Sequence, residues 1–264
     1  PDSYTSLFVC RVLGFIDTGR VARGLKTQPE AKRMILIRRL YLDLIGLPPT
    51  RAQLNDSQPW NGIVDELLKS PHHGERWARH WMDIWRYTDW YGLGAQLRNS
   101  QKHIWRWRDW IVEALNEDKG YDRMIEEMLA ADELFPEDAK ALLRTGFLAR
   151  NYYLFNRTTW LDSTIEHVGK AFLGLTLNCA KCHDHPNVKQ FTQADYFGLL
   201  AFLNQSTVAK HGTLQKNFLV EKVATGKLEF ESVFFPGEKK QVGPRLPGGE
   251  EVEIPTFEKG EEFA

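Results

Sequence analysis

The sequence predicts a mainly α-helical protein with a small β appendage near its C-terminus. Three observations support this. Apolar residues recur at helical spacing over the first two thirds of the chain, capping signals bracket those stretches, and strand-like alternation begins after about residue 207. With 264 residues, of which 42% are hydrophobic and 26% charged, the chain is long and apolar enough to fold around one or two cores.

Helix signals follow one another in order along the first 206 residues. Thr27-Gln-Pro-Glu30 and Thr50-Arg-Ala-Gln53 are capping boxes, and Ser70-Pro71 is a further N-terminal signal. Gly46 and the prolines after it end the first of these helices. The stretches predicted to contain helices are 27–46, 50–68, 70–88, 104–115, 121–129, 161–176 and 192–204.

The character of the sequence changes after residue 206. Residues 227–235 alternate as a strand does, turn-rich Pro-Gly pairs follow, and residues 252–254 read as a short strand. The last 15 residues contain six acidic side chains and one lysine, as expected of a solvated linker. We therefore predict a Trp-rich helical domain at 1–206 and a β-rich appendage with an acidic linker at 207–264.

Charge and hydropathy exclude two classes of partner. Thirty-four Lys and Arg residues against 35 Asp and Glu residues give a net charge of -1, which disfavours nucleic acid as a partner. No apolar run approaches the roughly 20 residues that a membrane-spanning helix needs, so no transmembrane segment is predicted. Because the chain begins at Pro1, we expect a mature form or a piece of a longer polypeptide.

The strongest chemical signal is Cys179-Ala-Lys-Cys182-His183, a CxxCH motif. This motif is the attachment signature of c-type haem. The two thiols would add across the two porphyrin vinyl groups, and the imidazole of His183 would bind the iron as proximal ligand. The sequence therefore predicts one covalently bound haem c.

Aromatic residues supply candidates for the wall of a haem site. Phe172 lies on the helix before the motif, and Trp81 lies on an aromatic helix face formed by Trp77, Trp81, Ile84, Trp85 and Thr88. The alternative is that this face packs as ordinary core against the helix at 104–115, which is the commoner fate of such a stripe. His80, at the edge of the face, is the candidate sixth iron ligand, and Met82 or an open position are alternatives.

Other interpretations of the motif stay open. The cysteines could bind zinc, although two distant ligands would be needed because adjacent Cys182 and His183 do not easily turn to one tetrahedral centre. They could also form a strained disulfide or, with less support from the helical flanks, a thioredoxin-like dithiol. His185 is expected to support the site without binding the iron, and His167 is expected to face water.

Four separated blocks, in the same order, resemble the cytochrome-like domain of large secreted planctomycete and verrucomicrobial proteins, the PSCyt type of unknown function. The blocks are residues 37–50 (IRRLYLDLIGLPPT), 70–83 (SPHHGERWARHWMD), 172–186 (FLGLTLNCAKCHDHP) and 244–255 (PRLPGGEEVEIP). The resemblance implies a periplasmic or cell-surface location, a covalent haem and a middle position in a larger protein. The chain departs from the family pattern at Asn187-Val-Lys189, so the loop after the motif is expected to differ.

Three functions are consistent with these observations. The first is electron transfer between a neighbouring domain of the same polypeptide and a periplasmic redox partner. The second is a haem-dependent oxidative enzyme acting on glycans or another extracellular substrate, with an open sixth position. The third is a non-haem interaction module in which the cysteines bind zinc or form a disulfide.

Overall fold

The protein is described here by a computed structural model covering residues 3–89, 103–135, 137–150, 152, 156–204, 206–210, 217–221 and 226–253. The predicted mainly α-helical fold with a small β appendage is confirmed. The chain forms two compact units, one comprising residues 1–43 and 47–59 and the other residues 44–46 and 60–264. This division does not coincide with the domain boundary that the sequence suggests at residue 206.

The first unit contains α1 (Ser3–Ala22), α2 (Arg33–Leu44) and α3 (Arg51–Leu54). The capping box before α3 is present, because the Thr50 side chain and Gln53 each accept from the other's backbone N–H. The box predicted at Thr27 is not used, since α2 begins at Arg33. Sequence periodicity missed α1, whose apolar residues form no single stripe: Leu13, Phe15, Ile16 and Val21 are all more than half exposed.

The second unit is built from helices around a large aromatic core. Its helices are α4 (Trp60–Leu68), α5 (Pro71–Ile84), α6 (Trp105–Asn116), α7 (Tyr121–Leu134), α8 (Gly146–Ala149), α9 (Arg157–Val168) and α10 (Gln193–Leu203). The core cluster contains Trp85, Trp107, Trp110, Met128 and Phe147. Ser70 caps α5 as predicted, its side chain accepting from the N–H of His72.

The buried face of α5 is rotated from the predicted one. Gly74, Ala78 and Trp85 are buried and Trp81 is half-buried, whereas Trp77 and Ile84 are 36% and 45% exposed. Helical periodicity placed the bulky side chains on the packed face, but α5 comes close to α6 at a small residue, Gly74. The prediction that Trp77 and Ile84 belong to the packed face is therefore wrong.

Gly74 explains this rotation because it lets α5 approach α6 closely. A Cβ atom at residue 74 would lie 2.5 Å from the carbonyl oxygen of Val112 and 2.6 Å from the side chain of Asn116. The Gly74 N–H donates to Asn116 Oδ1 (2.8 Å), and Asn116 Nδ2 donates to the carbonyl oxygen of Pro71 (3.1 Å). One asparagine thus joins the start of α5 to the end of α6.

Two antiparallel strand pairs follow the helices. β1 (Ser206–Lys210) pairs with β2 (Asn217–Glu221), and β3 (Leu228–Glu231) pairs with β4 (Lys239–Val242). β3 is shorter than the predicted strand at 227–235, because residues 233–235 lie in a turn. The strand predicted at 252–254 is not formed at residues 252 and 253, and residue 254 lies outside the described residues.

The β3–β4 hairpin and the segment after it pack against α10. Phe230 stacks on Phe197 with ring centroids 4.9 Å apart and planes 10° from parallel. Arg245 forms an ion pair of 2.6 Å with Asp195, a carboxylate that is 1% exposed and also accepts from the Gly248 N–H. Although burial opposes ionisation, these hydrogen bonds, together with those from Thr192, lower the pKa of Asp195.

We expect Gly74→Ala to destabilise the protein by about 1–3 kcal/mol, because the added methyl group forces α5 away from Val112 and Asn116. The intrinsic helix propensity of alanine opposes this by only about 1 kcal/mol. Gly14→Ala is the control, since a Cβ there has no atom within 4 Å. Chemical denaturation should show that the control is as stable as the wild type or more so, and equal stability of Gly74→Ala would contradict the close contact.

Candidate functional site around Cys179 and Cys182

The motif lies on a short turn that folds back on the end of α9. The helix continues as a π-helical turn, Gly169–Leu173, and ends at Gly174, which is left-handed with φ 65°. A Cβ at residue 169 would lie 2.7 Å from Leu177 Cγ, so glycine is what allows Leu177 to return so closely. The predicted helix at 161–176 therefore ends earlier, and a 3-10 turn, Asn178–Lys181, carries the first cysteine.

Both cysteines are free and exposed. The residue between them that points inward is Ala180, which is 0% exposed and packs in a small cluster with Leu177, Ile165, Phe191, Tyr196 and Leu199. The Cys182 N–H reaches the Cys179 carbonyl oxygen at 3.4 Å, so a single turn separates the two residues. The arrangement anchors the turn from inside and leaves both thiols open to a reagent from outside.

The hydrogen bond made by His183 selects one tautomer of its ring. Nδ1 lies 2.7 Å from the backbone carbonyl oxygen of Asp184. Because a carbonyl can only accept, Nδ1 carries the proton, and in the neutral ring Nε2 keeps its lone pair. A histidine held in this way by a backbone carbonyl is in the form that ligates a metal through Nε2.

His185 has a different role from His183. Its Nδ1 accepts from the backbone N–H groups of Asn187 (3.2 Å) and Val188 (3.0 Å), and its Nε2 donates to the Thr176 carbonyl oxygen (3.0 Å). Both ring nitrogens therefore hold the loop after the motif to the segment before it. These hydrogen bonds agree with the prediction that His185 supports the site and does not bind the iron.

Carboxylates beside the motif are paired. Asp162 of α9 accepts from Lys181 (2.5 Å) and from the Tyr196 hydroxyl (2.8 Å). Burial, and then this bond to Asp162, raises the pKa of Tyr196. Glu166 accepts from Lys170, which with the Asn178 side chain lowers the pKa of that carboxyl. These groups are committed to holding α9 and α10 against the motif.

A buried glutamine ties the motif to the β3–β4 hairpin. Gln193 is 4% exposed, and its Nε2 donates to the carbonyl oxygens of Lys181 (3.1 Å) and Glu231 (2.9 Å). Its backbone N–H donates to Asp184 Oδ1 (2.7 Å). These bonds bring a segment some fifty residues downstream against the CxxCH turn.

The loop between β3 and β4 places an apolar turn beside His183. The Val233 N–H donates to the Cys182 carbonyl oxygen (3.0 Å), and the Phe234 and His183 ring centroids are 5.1 Å apart. We call residues 233–235 the apolar turn. Sequence reasoning missed it because strand alternation assigned these residues to β3 and gave no sign of a neighbour fifty residues away.

The two predicted wall residues lie in the large core. Trp81 stacks on Trp85 (5.1 Å between centroids) and contacts Tyr121 (5.0 Å), and Phe172 contacts Phe147 (5.0 Å). Both pack against the cluster around Trp107, whereas Ala180 of the motif belongs to another cluster. The core alternative accounts for both rings, and their contact with a haem stays a prediction that this packing does not support.

Among the contacts of the described residues, none joins His80, the predicted sixth ligand, to the motif. His80 is half-buried, its ring 5.5 Å from that of Trp77, and it lies about 130° around α5 from the buried face. Met82 packs against the large core. In the part of the chain that the structure describes, no group of three or more His, Cys, Asp or Glu side chains is placed to hold a metal ion, which leaves the zinc alternative without a ligand set there.

His167 is a half-buried titratable group. The prediction that it faces water is wrong, because about half of the side chain on α9 is covered. Burial lowers the pKa of His167 to about 4, and the charges of Arg150, Arg86 and Lys170 act in the same direction against Glu166. The ring is therefore neutral at neutral pH. Helical periodicity within α9 gives no information about Arg150, which belongs to another part of the chain and whose charge acts on His167.

Together these features define a class: an α-helical domain that presents an exposed CxxCH turn, supported by a β hairpin. The chain belongs to the PSCyt2 family, described as "Protein of unknown function (DUF1549)", which matches residues 12–208. No curated protein and no solved structure matches the chain. Among the described residues, no helix is both long and apolar enough to cross a membrane.

We expect stability to fall on acidification between pH 6.5 and 4, because the unfolded chain binds a proton at His167 that the folded state excludes. His167→Gln should remove about 1 kcal/mol of this loss, a figure reduced by the partial exposure of the ring. Urea denaturation at pH 7 and pH 4 measures it. His103→Gln, at an exposed position, is the control and should lose as much stability between pH 7 and pH 4 as the wild type. An equal loss of stability in both variants would contradict the assignment.

We expect His185→Ala to lower the stability by about 1–2 kcal/mol, because two N–H groups and a carbonyl lose their partner. His183→Ala removes a single bond to the adjacent carbonyl and should cost less. Denaturation of the haem-free chain compares the two variants directly. If His183→Ala proves the more destabilising, the division of roles between the two histidines is wrong.

Proposed function

We propose that this chain is a c-type haem-binding domain that transfers electrons within a larger redox protein at the periplasm or cell surface. The observation that carries the proposal is the CxxCH turn itself. Cys179 and Cys182 are free and exposed, and His183 is held in the tautomer that ligates metal. The spacing of these residues matches c-type haem attachment.

The residues present fit a haem. Two accessible thiols one turn apart can form the two thioether bonds, and His183 follows directly with an available Nε2. Apolar side chains lie beside the histidine at the apolar turn, and they could cover part of an apolar porphyrin. Haem, when bound, supplies one-electron redox chemistry.

The surrounding residues support electron transfer rather than acid–base catalysis. Asp162 and Glu166 are paired with lysines, and Gln193 and Asp184 fix the backbone of the turn. A framework of this kind holds the proximal histidine in one orientation, so little would have to rearrange when the charge of the site changes. The partner proposed is a neighbouring domain of the same polypeptide or a periplasmic carrier.

Expression with a cytochrome maturation system tests the proposal. We expect haem staining on a denaturing gel, a mass equal to the chain plus one haem, and a pyridine haemochrome spectrum. Cys179→Ala combined with Cys182→Ala should abolish all three signals, because no thioether can form. Cys10→Ala is the matched control, since it removes the third cysteine outside the motif and should retain haem.

A colourless wild-type protein whose mass equals the bare chain would overturn the proposal. In the haem-loaded protein, His183→Ala should keep the covalent haem but change its absorption spectrum, because the proximal ligand is lost. Binding of CO to the reduced wild-type protein would instead favour an oxidative enzyme with an open sixth position. If His80 is the sixth ligand, His80→Ala opens the iron to CO, and an unchanged spectrum removes it from the ligand set.

A further inference from the structure

The apolar turn is an unusual surface. Val233, Phe234 and Phe235 are consecutive, and their exposed fractions are 61%, 67% and 58%. Three adjacent large apolar side chains in water are unfavourable, and a contiguous patch of this kind generally marks a surface that something covers. The turn lies between the two strands, after β3 ends at Glu231 and before β4 begins at Lys239.

The turn is held in place by hydrogen bonds on both sides. The Val233 N–H donates to the Cys182 carbonyl oxygen (3.0 Å), the Phe234 N–H to Ser232 Oγ (3.3 Å), and the Gly237 N–H to Glu231 Oε1 (2.6 Å). Gln193 secures the end of β3 through the Glu231 carbonyl. The fold therefore presents these side chains in a defined position instead of leaving them on a loose loop.

The position is next to the residues of the motif. Phe234 contacts the His183 ring at 5.1 Å between centroids with 40° between the planes. The backbone of Val233 is hydrogen-bonded to that of Cys182, one of the two residues predicted to attach the haem. A large apolar group joined covalently to Cys182 would therefore be attached next to the apolar turn.

We propose that the apolar turn is a wall of the haem site, with Phe234 as a positioning residue for His183. The inference rests on the proposed function and deepens it, because it replaces Trp81 and Phe172 as wall residues by a segment that lies against the motif. The Phe234 ring contacts the imidazole of His183 and restricts its rotation, while the Asp184 carbonyl accepts a hydrogen bond from Nδ1. Attachment of the porphyrin removes the apolar turn from water.

The first test measures exposure of the turn with the dye ANS, which binds exposed apolar surface. The haem-loaded protein should bind severalfold less dye than the haem-free Cys179→Ala, Cys182→Ala variant. In that haem-free background, Phe234→Ala should reduce dye binding, whereas Leu246→Ala should not. Leu246 is the matched control because it is 64% exposed in the same unit and lies outside the apolar turn.

The second test reads the orientation of His183. In the haem-loaded protein, Phe234→Ala should shift the reduction potential and the absorption bands that report the axial ligand, and Phe234→Tyr should restore both. Leu246→Ala should leave both at their wild-type values. Phe234 is exposed, so the substitution is not expected to unfold the domain, and circular dichroism verifies this.

The outcomes separate the two proposals. Covalent haem in the wild type, with equal dye binding in loaded and haem-free protein and a Phe234→Ala spectrum and potential identical to those of Leu246→Ala, overturns the wall while the proposed function stands. A wild-type protein that carries no haem after maturation overturns both. Covalent haem together with reduced dye binding and a Tyr-restored spectrum supports both.

Discussion

The hydrogen bonds of Gln193 are the constraint on which the candidate site depends. Gln193 begins α10, and its buried side-chain amide bonds to the CxxCH turn and to the end of β3. It therefore joins three separate segments of the chain. A buried amide without its partners would be costly, so the three segments are held together as a unit. The position of the apolar turn beside the motif follows from these bonds, while the Asp184 carbonyl orients His183 and the burial of Ala180 fixes the turn that carries the thiols.

The rest of the second unit is built on a separate, larger core. This core is aromatic, and α5 comes close to α6 at Gly74, where the Asn116 side chain bonds to the Gly74 N–H. The motif does not sit in this core. It packs on the smaller cluster around Leu177 and Ala180, apart from the tryptophans of the large core.

The distribution of charge around the motif is consistent with this arrangement. Asp162, Glu166 and Asp195 each face a basic partner, and His167 is held neutral by burial. Paired carboxylates and a neutral imidazole are poor acids and bases at neutral pH. Two exposed thiols, an imidazole with Nδ1 bonded to a carbonyl and an apolar patch meet at the turn, and the haem proposal rests on this combination.

The helical fold class, the capping box at Thr50, the N-cap at Ser70 and the CxxCH motif were predictable from the sequence, because they depend on residues close together along the chain. Four features could be seen only once the chain is folded: which face of α5 is buried, that Trp81 and Phe172 pack against the core, that His167 is half-buried, and that Phe234 contacts His183. Each of these depends on a close approach between distant segments, set by a small residue or a buried polar side chain. Periodicity in one stretch of sequence carries no information about the stretch that will pack against it.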